Sequence, residues 1–199
     1  MCLRAVASPL SVTVSLKKID LMQECTPEVR APITEFSYPQ GNATVGKPFG
    51  PFYARAHIEY NSKKYNPEIS FYYADGPANS ITVIDEYGKK WDLPKGYALV
   101  MRYPTDVGEC TDMVIPGWYT IFPTAGIYQI QILSGYSTGN VSCVWDSRLA
   151  IVNVVQELPP SPSPSPWLPI PGVPLWVIIA IGAFFVMMLI GIILLATKK

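Results

Sequence analysis

Residues 123–133 read PTAGIYQIQIL, and this stretch shows most clearly what kind of fold the chain adopts. A proline and a glycine open it, and from Tyr128 to Ile132 apolar or aromatic residues alternate with glutamines. Because successive side chains of a β-strand point to opposite faces, this alternation predicts a half-buried strand at 127–133.

Similar alternation of apolar and polar residues occurs on both sides of this stretch. Comparable runs predict further strands at 52–60, 69–74, 81–86, 97–103, 117–122 and 147–155. Alternating apolar residues between Leu10 and Leu16 predict an earlier strand, and a short one is expected near 33–36. Turns rich in glycine, proline and asparagine separate these runs. The sequence therefore predicts an all-β fold, an antiparallel sandwich of short strands.

The opening stretch also carries a family resemblance. A glycine followed by a tyrosine at the start of a strand, here Gly126 and Tyr128, resembles the penultimate strand of immunoglobulin-like and fibronectin-like domains. The resemblance implies that the Tyr128 hydroxyl bonds back to the preceding corner, with Ile130 and Ile132 facing inward. Antibody domains have a cysteine where this chain has Ile130, so the resemblance is to the relatives that lack that disulfide, which are common in cell-surface modules.

The C-terminal stretch at residues 175–199, LWVIIAIGAFFVMMLIGIILLATKK, predicts a different element. Residues 175–196 carry no charge, and as a helix they span about 33 Å, close to the thickness of a bilayer core. Trp176 suits the headgroup layer at one end, and Lys198 and Lys199 form a basic tail at 197–199. We therefore expect a transmembrane α-helix at 175–196, with the lipid bilayer as a partner.

Between the predicted sandwich, residues 1–157, and this helix lies the segment 158–174, with eight prolines in 17 positions. Alternating serine and proline favour polyproline II, which rises about 3.1 Å per residue and can lift a domain roughly 50 Å from a bilayer. We interpret the segment as a stalk. A docking site for SH3-like or WW-like domains is the alternative.

The basic residues predict the orientation in the membrane. Neither Lys nor Arg occurs between 149 and 174, whereas Lys198 and Lys199 follow the helix directly, so the C-terminus is expected inside and the sandwich outside. The N-terminus does not read as a signal peptide, because polar residues and Pro9 interrupt its apolar run. Three explanations stay open: a start other than Met1, export without a cleaved signal, or a virion protein. A tail-anchored protein with a cytosolic sandwich fits the lysines less well.

Cysteines and glycosylation sequons can indicate whether the sandwich lies outside the membrane. None of the four cysteines forms a CxxC motif, and we favour a disulfide between Cys110 and Cys143, with Cys25 the next candidate. Asn42 and Asn140 each begin an N-x-S/T acceptor pattern within a predicted turn.

Charge and motifs predict a protein that is not an enzyme and holds no cofactor. Of 15 Lys and Arg residues, two follow the helix, which leaves 13 against 15 acidic residues and no basic surface for nucleic acid. The single histidine, His57, reads as a solvent-facing strand residue. Two acidic groupings occur, Asp85-Glu86 and Asp106…Glu109…Asp112. The second could ligate calcium, although a solvated loop fits it better.

Aromatic residues are the remaining functional signal. Strand alternation requires one of Tyr72 and Tyr73, and one of Trp118 and Tyr119, to face outward, where they suit protein or glycan contacts. We therefore predict a membrane-anchored sandwich at a cell envelope or virion surface, which contacts other envelope or capsid proteins; oligomerisation stays open. One alternative is a protein of a virion's internal membrane. Another is a carbohydrate-binding or hydrolytic domain, which would need a cleft of convergent carboxylates.

Overall fold

The computed structural model describes residues 3–4, 12–18, 29–59, 65–103, 109–138, 141–157 and 175–196. The chain divides into two compact units, Met1–Glu157 and Leu158–Lys199. The described residues of the first unit are mostly strand, and those of the second form one helix.

Within the described part of the first unit there are thirteen strands. They are β1 Leu3–Arg4, β2 Thr13–Lys18, β3 Ile33–Ser37, β4 Ala43–Thr44, β5 Pro48–His57, β6 Asn66–Asp75, β7 Ser80–Ile84, β8 Lys90–Pro94, β9 Tyr97–Arg102, β10 Glu109–Cys110, β11 Asp112–Ile121, β12 Gly126–Thr138 and β13 Val141–Val155.

Two sheets of these strands form a sandwich. One has the order β3-β5-β11-β7-β8 and the other β2-β9-β6-β12-β13-β4, and neighbours pair antiparallel except β13 with β4. Two-residue strands β1 and β10 pair in parallel separately. The ring of Phe71 on β6 contacts those of Phe52 on β5 and Trp118 on β11, with centroids 5.3 and 6.0 Å apart. The predicted all-β sandwich is therefore confirmed.

The differences from the predicted strands lie at positions where charge or proline hides the pattern. Strand β8 was not predicted, because in its sequence KWDLP only Leu93 is fully buried. Strand β11 begins at Asp112 and not at 117, since it continues through Pro116. The register of β11 with β5 shifts between Pro116 and Trp118, and Gly117 adopts a φ of +108°. A bulge of this kind accommodates a proline that would otherwise end a strand.

The helix α1 of the second unit runs Leu175–Ala196 and contains no charged residue. Within the described part of the chain, no helix combines the length and the apolar character that a membrane span requires. The predicted stalk at 158–174 and the basic tail with Lys198 and Lys199 lie outside the described residues, as does the side chain of Trp176.

Candidate interaction surface

A tyrosine fixes the start of β12, the strand on which the candidate surface is built. The hydroxyl of buried Tyr128 donates a hydrogen bond of 2.9 Å to the carbonyl of Thr124, and the Thr124 hydroxyl lies 2.8 Å from the Tyr128 hydroxyl oxygen. Gly126 has a φ of +141°, and a Cβ there would approach Cγ of Pro77 to 2.8 Å. The corner bond implied by the family resemblance is therefore confirmed.

Beyond this corner, four large apolar side chains share the outer face of β12 and β13, and we call them the apolar strip. They are Ile127, Leu149, Ile151 and Val155, exposed by 62, 46, 57 and 37%. Beside the strip, the even-numbered residues within 128–132 and 150–154 are buried, as Ile130 and Val152 show. An exposed apolar group of this size on one sheet face is typical of a contact surface.

The apolar strip lies beside a strand edge that is largely unpaired within the described part of the chain. Strand β13 pairs with β12 along its length, but with β4 only at Val154 and Val155. The carbonyl of Val155 accepts a bond of 3.0 Å from Val45 N across this edge. Since backbone groups alternate in direction along a strand, those of Leu149, Ile151 and Asn153 also point outward. Unpaired edges of this kind can accept another strand.

Asn42 lies at one end of the apolar strip. It is exposed, and its Oδ1 accepts a hydrogen bond of 3.1 Å from Nδ2 of Asn153, which lies between Ile151 and Val155 on the same face of β13. The other predicted acceptor, Asn140, lies outside the described residues.

Two of the four aromatic contact candidates belong to the core. Tyr73 and Trp118 are fully buried. The Tyr73 hydroxyl donates to the carbonyl of Ala78 at 2.7 Å, and burial raises the pKa of Tyr73 to about 12. These two rings cannot meet a partner from solvent, so their predicted contact role is wrong. Alternation leaves Tyr72 half-buried on the outer face of β6, and Tyr119 39% exposed on β11.

The polar groups of the five-stranded sheet form a cluster that the sequence analysis missed. On its outer face, Asp112 on β11 accepts hydrogen bonds of 2.6 Å from both Arg55 and His57 on β5. Glu35 on β3 lies 3.6 Å from the Arg55 guanidinium. Burial alone would raise the pKa of Asp112, but the hydrogen bonds from Arg55 and His57 outweigh it and hold this pKa below its usual value.

This cluster corrects one expectation. His57 lies on the outer face of β5 as expected, although it is half-buried and bonded to a carboxylate, whereas Asp112 belongs to strand β11 and not to a solvated loop. Asp106 lies outside the described residues. Among the residues that the structure does describe, no group of three or more His, Cys, Asp or Glu side chains could hold a metal ion. Only the register of β5 with β11, which pairs Asp112 with His57, brings this cluster together.

The acidic pair Asp85-Glu86 has a structural role. The buried Asp85 carboxylate accepts bonds from the backbone N–H groups of Tyr87 and Lys89 and from Nε1 of Trp91, all within 3.0 Å. Glu86 accepts a bond of 2.6 Å from Nε1 of Trp118. The Asp85 carboxylate thus stabilises the turn between β7 and β8, and the Glu86 carboxylate binds the indole N–H of the core residue Trp118.

Cys110 and Cys143 are both disulfide-bonded. Their pairing with one another stays a prediction, and Cys2 and Cys25 lie outside the described residues.

No known protein-family profile and no curated protein matches this chain. Among solved structures, it is similar to the ASH / PapD-like domain of human CEP192 (PapD-like domain 7), at 7% identity and a TM-score of 0.31, over 70% of this chain and 99% of that domain. It is also similar to a family 123 glycoside hydrolase from Clostridium perfringens, at 14% identity and a TM-score of 0.28. That likeness covers 65% of this chain and 27% of the hydrolase. Similarities this distant do not support a functional assignment. The chain is assigned to the class of β-sandwich proteins because of its own two sheets.

Proposed function

We propose that the chain is a single-pass membrane protein without enzymatic activity. It displays its β-sandwich outside the membrane, at a cell envelope or virion surface, for assembly, adhesion or protein contact. The contact is made through the apolar strip and the adjoining edge of β13. Lys198 and Lys199 remain on the inner side of the membrane, in accordance with the positive-inside rule.

The observation that carries this proposal is the sequence of helix α1. Its 22 residues include no charged side chain, and at 1.5 Å per residue they extend about 33 Å. No helix of the described residues qualifies as a membrane span, so the span is proposed from the sequence of α1. A helix of 22 residues with apolar side chains all round its circumference is typical of a membrane span.

Two further features support display outside the membrane. Disulfides persist mainly in oxidising compartments, and Cys110 and Cys143 are both disulfide-bonded. The proline-rich segment 158–174 provides a spacer between the sandwich and the helix.

The apolar strip supports a role in protein contact. Its side chains on β12 and β13 offer apolar area, and the edge of β13 offers backbone hydrogen bonds from Leu149, Ile151 and Asn153. Recognition by strand addition uses these two features together, since the edge supplies affinity and the side chains supply specificity.

Protease accessibility on intact cells or particles tests the topology. With an epitope tag after Lys199, we expect protease to remove the sandwich from intact samples, while the tagged tail is protected until detergent is added. Co-fractionation of the chain with purified particles would identify the membrane as that of a virion. Recovery of the chain in the supernatant after a high-speed spin of detergent-free lysate would contradict the proposal.

A further inference from the structure

We propose that Asn42 carries an N-linked glycan, and that this glycan limits association of the sandwich through the apolar strip. The inference rests on the proposed function, because the chain must reach the outer compartment to be glycosylated. It adds a modification site and a means of regulation to the surface described above.

The geometry of Asn42 suits an acceptor. Asn42, Ala43 and Thr44 form the acceptor pattern, and Asn42 is exposed just before strand β4. Its Oδ1 accepts the bond from Asn153, so this bond does not use Nδ2, the atom to which a glycan is attached. Buried Ala43 pairs with Val154 and holds the backbone of the sequon in place.

A glycan on Asn42 begins beside the apolar strip. Asn153 contacts Asn42, lies opposite Ile127 in the register of β12 with β13, and is flanked by Ile151 and Val155 on the same face. Residues two apart on a strand are separated by roughly 7 Å. The first sugars therefore lie next to Ile127, Ile151 and Val155, and the Leu149 end of the strip is left open.

This position matters because β13 lacks the usual protection of an edge strand. Natural edges are guarded by charged residues, proline or bulges, and residues 149–155, LAIVNVV, contain neither a charged residue nor a proline. The register of β13 with β12 also has no shift in this range. A bulky hydrophilic glycan at Asn42 supplies the missing protection. The glycosylated chain thus resists pairing of one β13 edge with another, and the unglycosylated chain associates.

The first experiment tests the acceptor. The full chain is expressed in cells with N-glycosylation, once as it stands and once behind an added cleavable signal peptide. In both forms we expect a mobility shift that peptide-N-glycosidase removes, that Thr44→Ala reduces by one glycan, and that Thr44→Ser retains. Thr44→Ala removes the acceptor pattern and Thr44→Ser keeps it, while both leave the side chains of Asn42 and Asn153 unchanged. Asn140→Gln reports any glycan at the second sequon.

The outcomes of this experiment separate the two proposals. A glycan on Asn42 only in the chain with the added signal peptide supports the acceptor and contradicts the proposed display of the native chain. Absence of a glycan on Asn42 in the chain with the signal peptide overturns the inference, whatever the topology of the native chain.

The second experiment tests the role of the glycan. Sedimentation of the purified full chains in detergent should show self-association at least about tenfold stronger for Thr44→Ala than for Thr44→Ser. Adding Ile151→Asp to the Thr44→Ala chain should return it to the level of Thr44→Ser, because a charge then guards the edge. Equal association of the Thr44→Ala and Thr44→Ser chains would overturn the proposed role.

Discussion

At the scale of single residues, Tyr128 couples the corner before β12 to the core. Replacing it with phenylalanine keeps the buried ring but removes the hydroxyl, so the Thr124 carbonyl loses this donor and the corner loses its bond to the core. We expect the free energy of unfolding to fall by about 1–2 kcal/mol. The measurement is the urea midpoint of the purified chain. The matched control is Tyr87→Phe, at a position 81% exposed, and equal losses in both variants would contradict a specific role for the corner.

The hydrogen bonds of Asp112 should make the stability of the fold depend on pH. Its pKa in the folded chain is lowered by Arg55 and His57, so the carboxylate stabilises the fold above its unfolded pKa of about 3.9. This contribution is lost as the pH falls through the folded-state value. We therefore expect Asp112→Asn to lower the melting temperature at pH 6 and to flatten its decline below about pH 4. Melting curves between pH 6 and 2.5 check this.

The control for this prediction is Asp92→Asn, which alters an exposed carboxylate on β8. Its melting temperature should follow that of the unaltered chain across the whole pH range. An Asp112→Asn profile that runs parallel to that of the unaltered chain would contradict the role assigned to the cluster.

These two residues show what local sequence can predict. The hydrogen bond of Tyr128 joins positions four apart, so the glycine and tyrosine at the start of β12 were sufficient to predict it. Asp112 lies 55 and 57 positions from its partners His57 and Arg55, and only the register of two strands joins them. No spacing in the sequence carries that information.

At the scale of elements, the pairing of β12 with β13 depends on one glycine. The register shifts at Gly135, and a Cβ there would lie 1.8 Å from the carbonyl oxygen of Cys143. Because that oxygen belongs to the backbone, the two strands must separate to accept a side chain. We expect Gly135→Ala to cost about 3 kcal/mol or more of unfolding free energy, measured by urea titration.

Gly88→Ala is the comparison for this prediction. Gly88 has a φ of +77° and open space around it, so its substitution isolates the cost of the backbone conformation, about 1 kcal/mol. A cost for Gly135→Ala no larger than that for Gly88→Ala would show that the strands adapt to the added Cβ.

Elements with a buried face were predictable, and the short or charged ones were not. Burial alternates with the sequence over residues 71–74 of β6 and 127–132 of β12. Strand β4 consists of two residues, Ala43 and Thr44, whose strand conformation depends on the neighbouring end of β13. A two-residue segment is too short to show a periodic pattern, so such a strand can be predicted only when its pairing partner is known.

At the scale of the whole molecule, we expect residues 1–157 to fold alone. The aromatic contacts of the core, which join Phe52, Phe71 and Trp118, lie entirely within this unit. The fragment should give a β-type circular dichroism spectrum and a single cooperative thermal transition. A fragment that ends at residue 140 lacks β13, the partner of β12 along its full length, and should not fold. A mostly helical or non-cooperative 1–157 fragment would contradict the prediction.

The sequence predicted the class of this fold, but not its outer surface. Alternation assigns residues to two faces of a strand, whereas the order of strands in a sheet decides which outer faces and edges stay uncovered. Ile127 and Ile151 form one strip only because β13 lies beside β12, with β4 covering just its last two residues.

The length of β13 has a mechanical consequence. It is the longest strand of the described chain, and thirteen of its residues are matched one to one with residues of β12. It is also the last strand before residues 158–174, so in the proposed membrane-anchored chain tension on the stalk would reach the sandwich through β13. A pull along this strand loads its ladder of bonds in parallel, and the bonds must break together. In the proposed arrangement, the sandwich would thus be attached to the membrane through its longest ladder of paired residues.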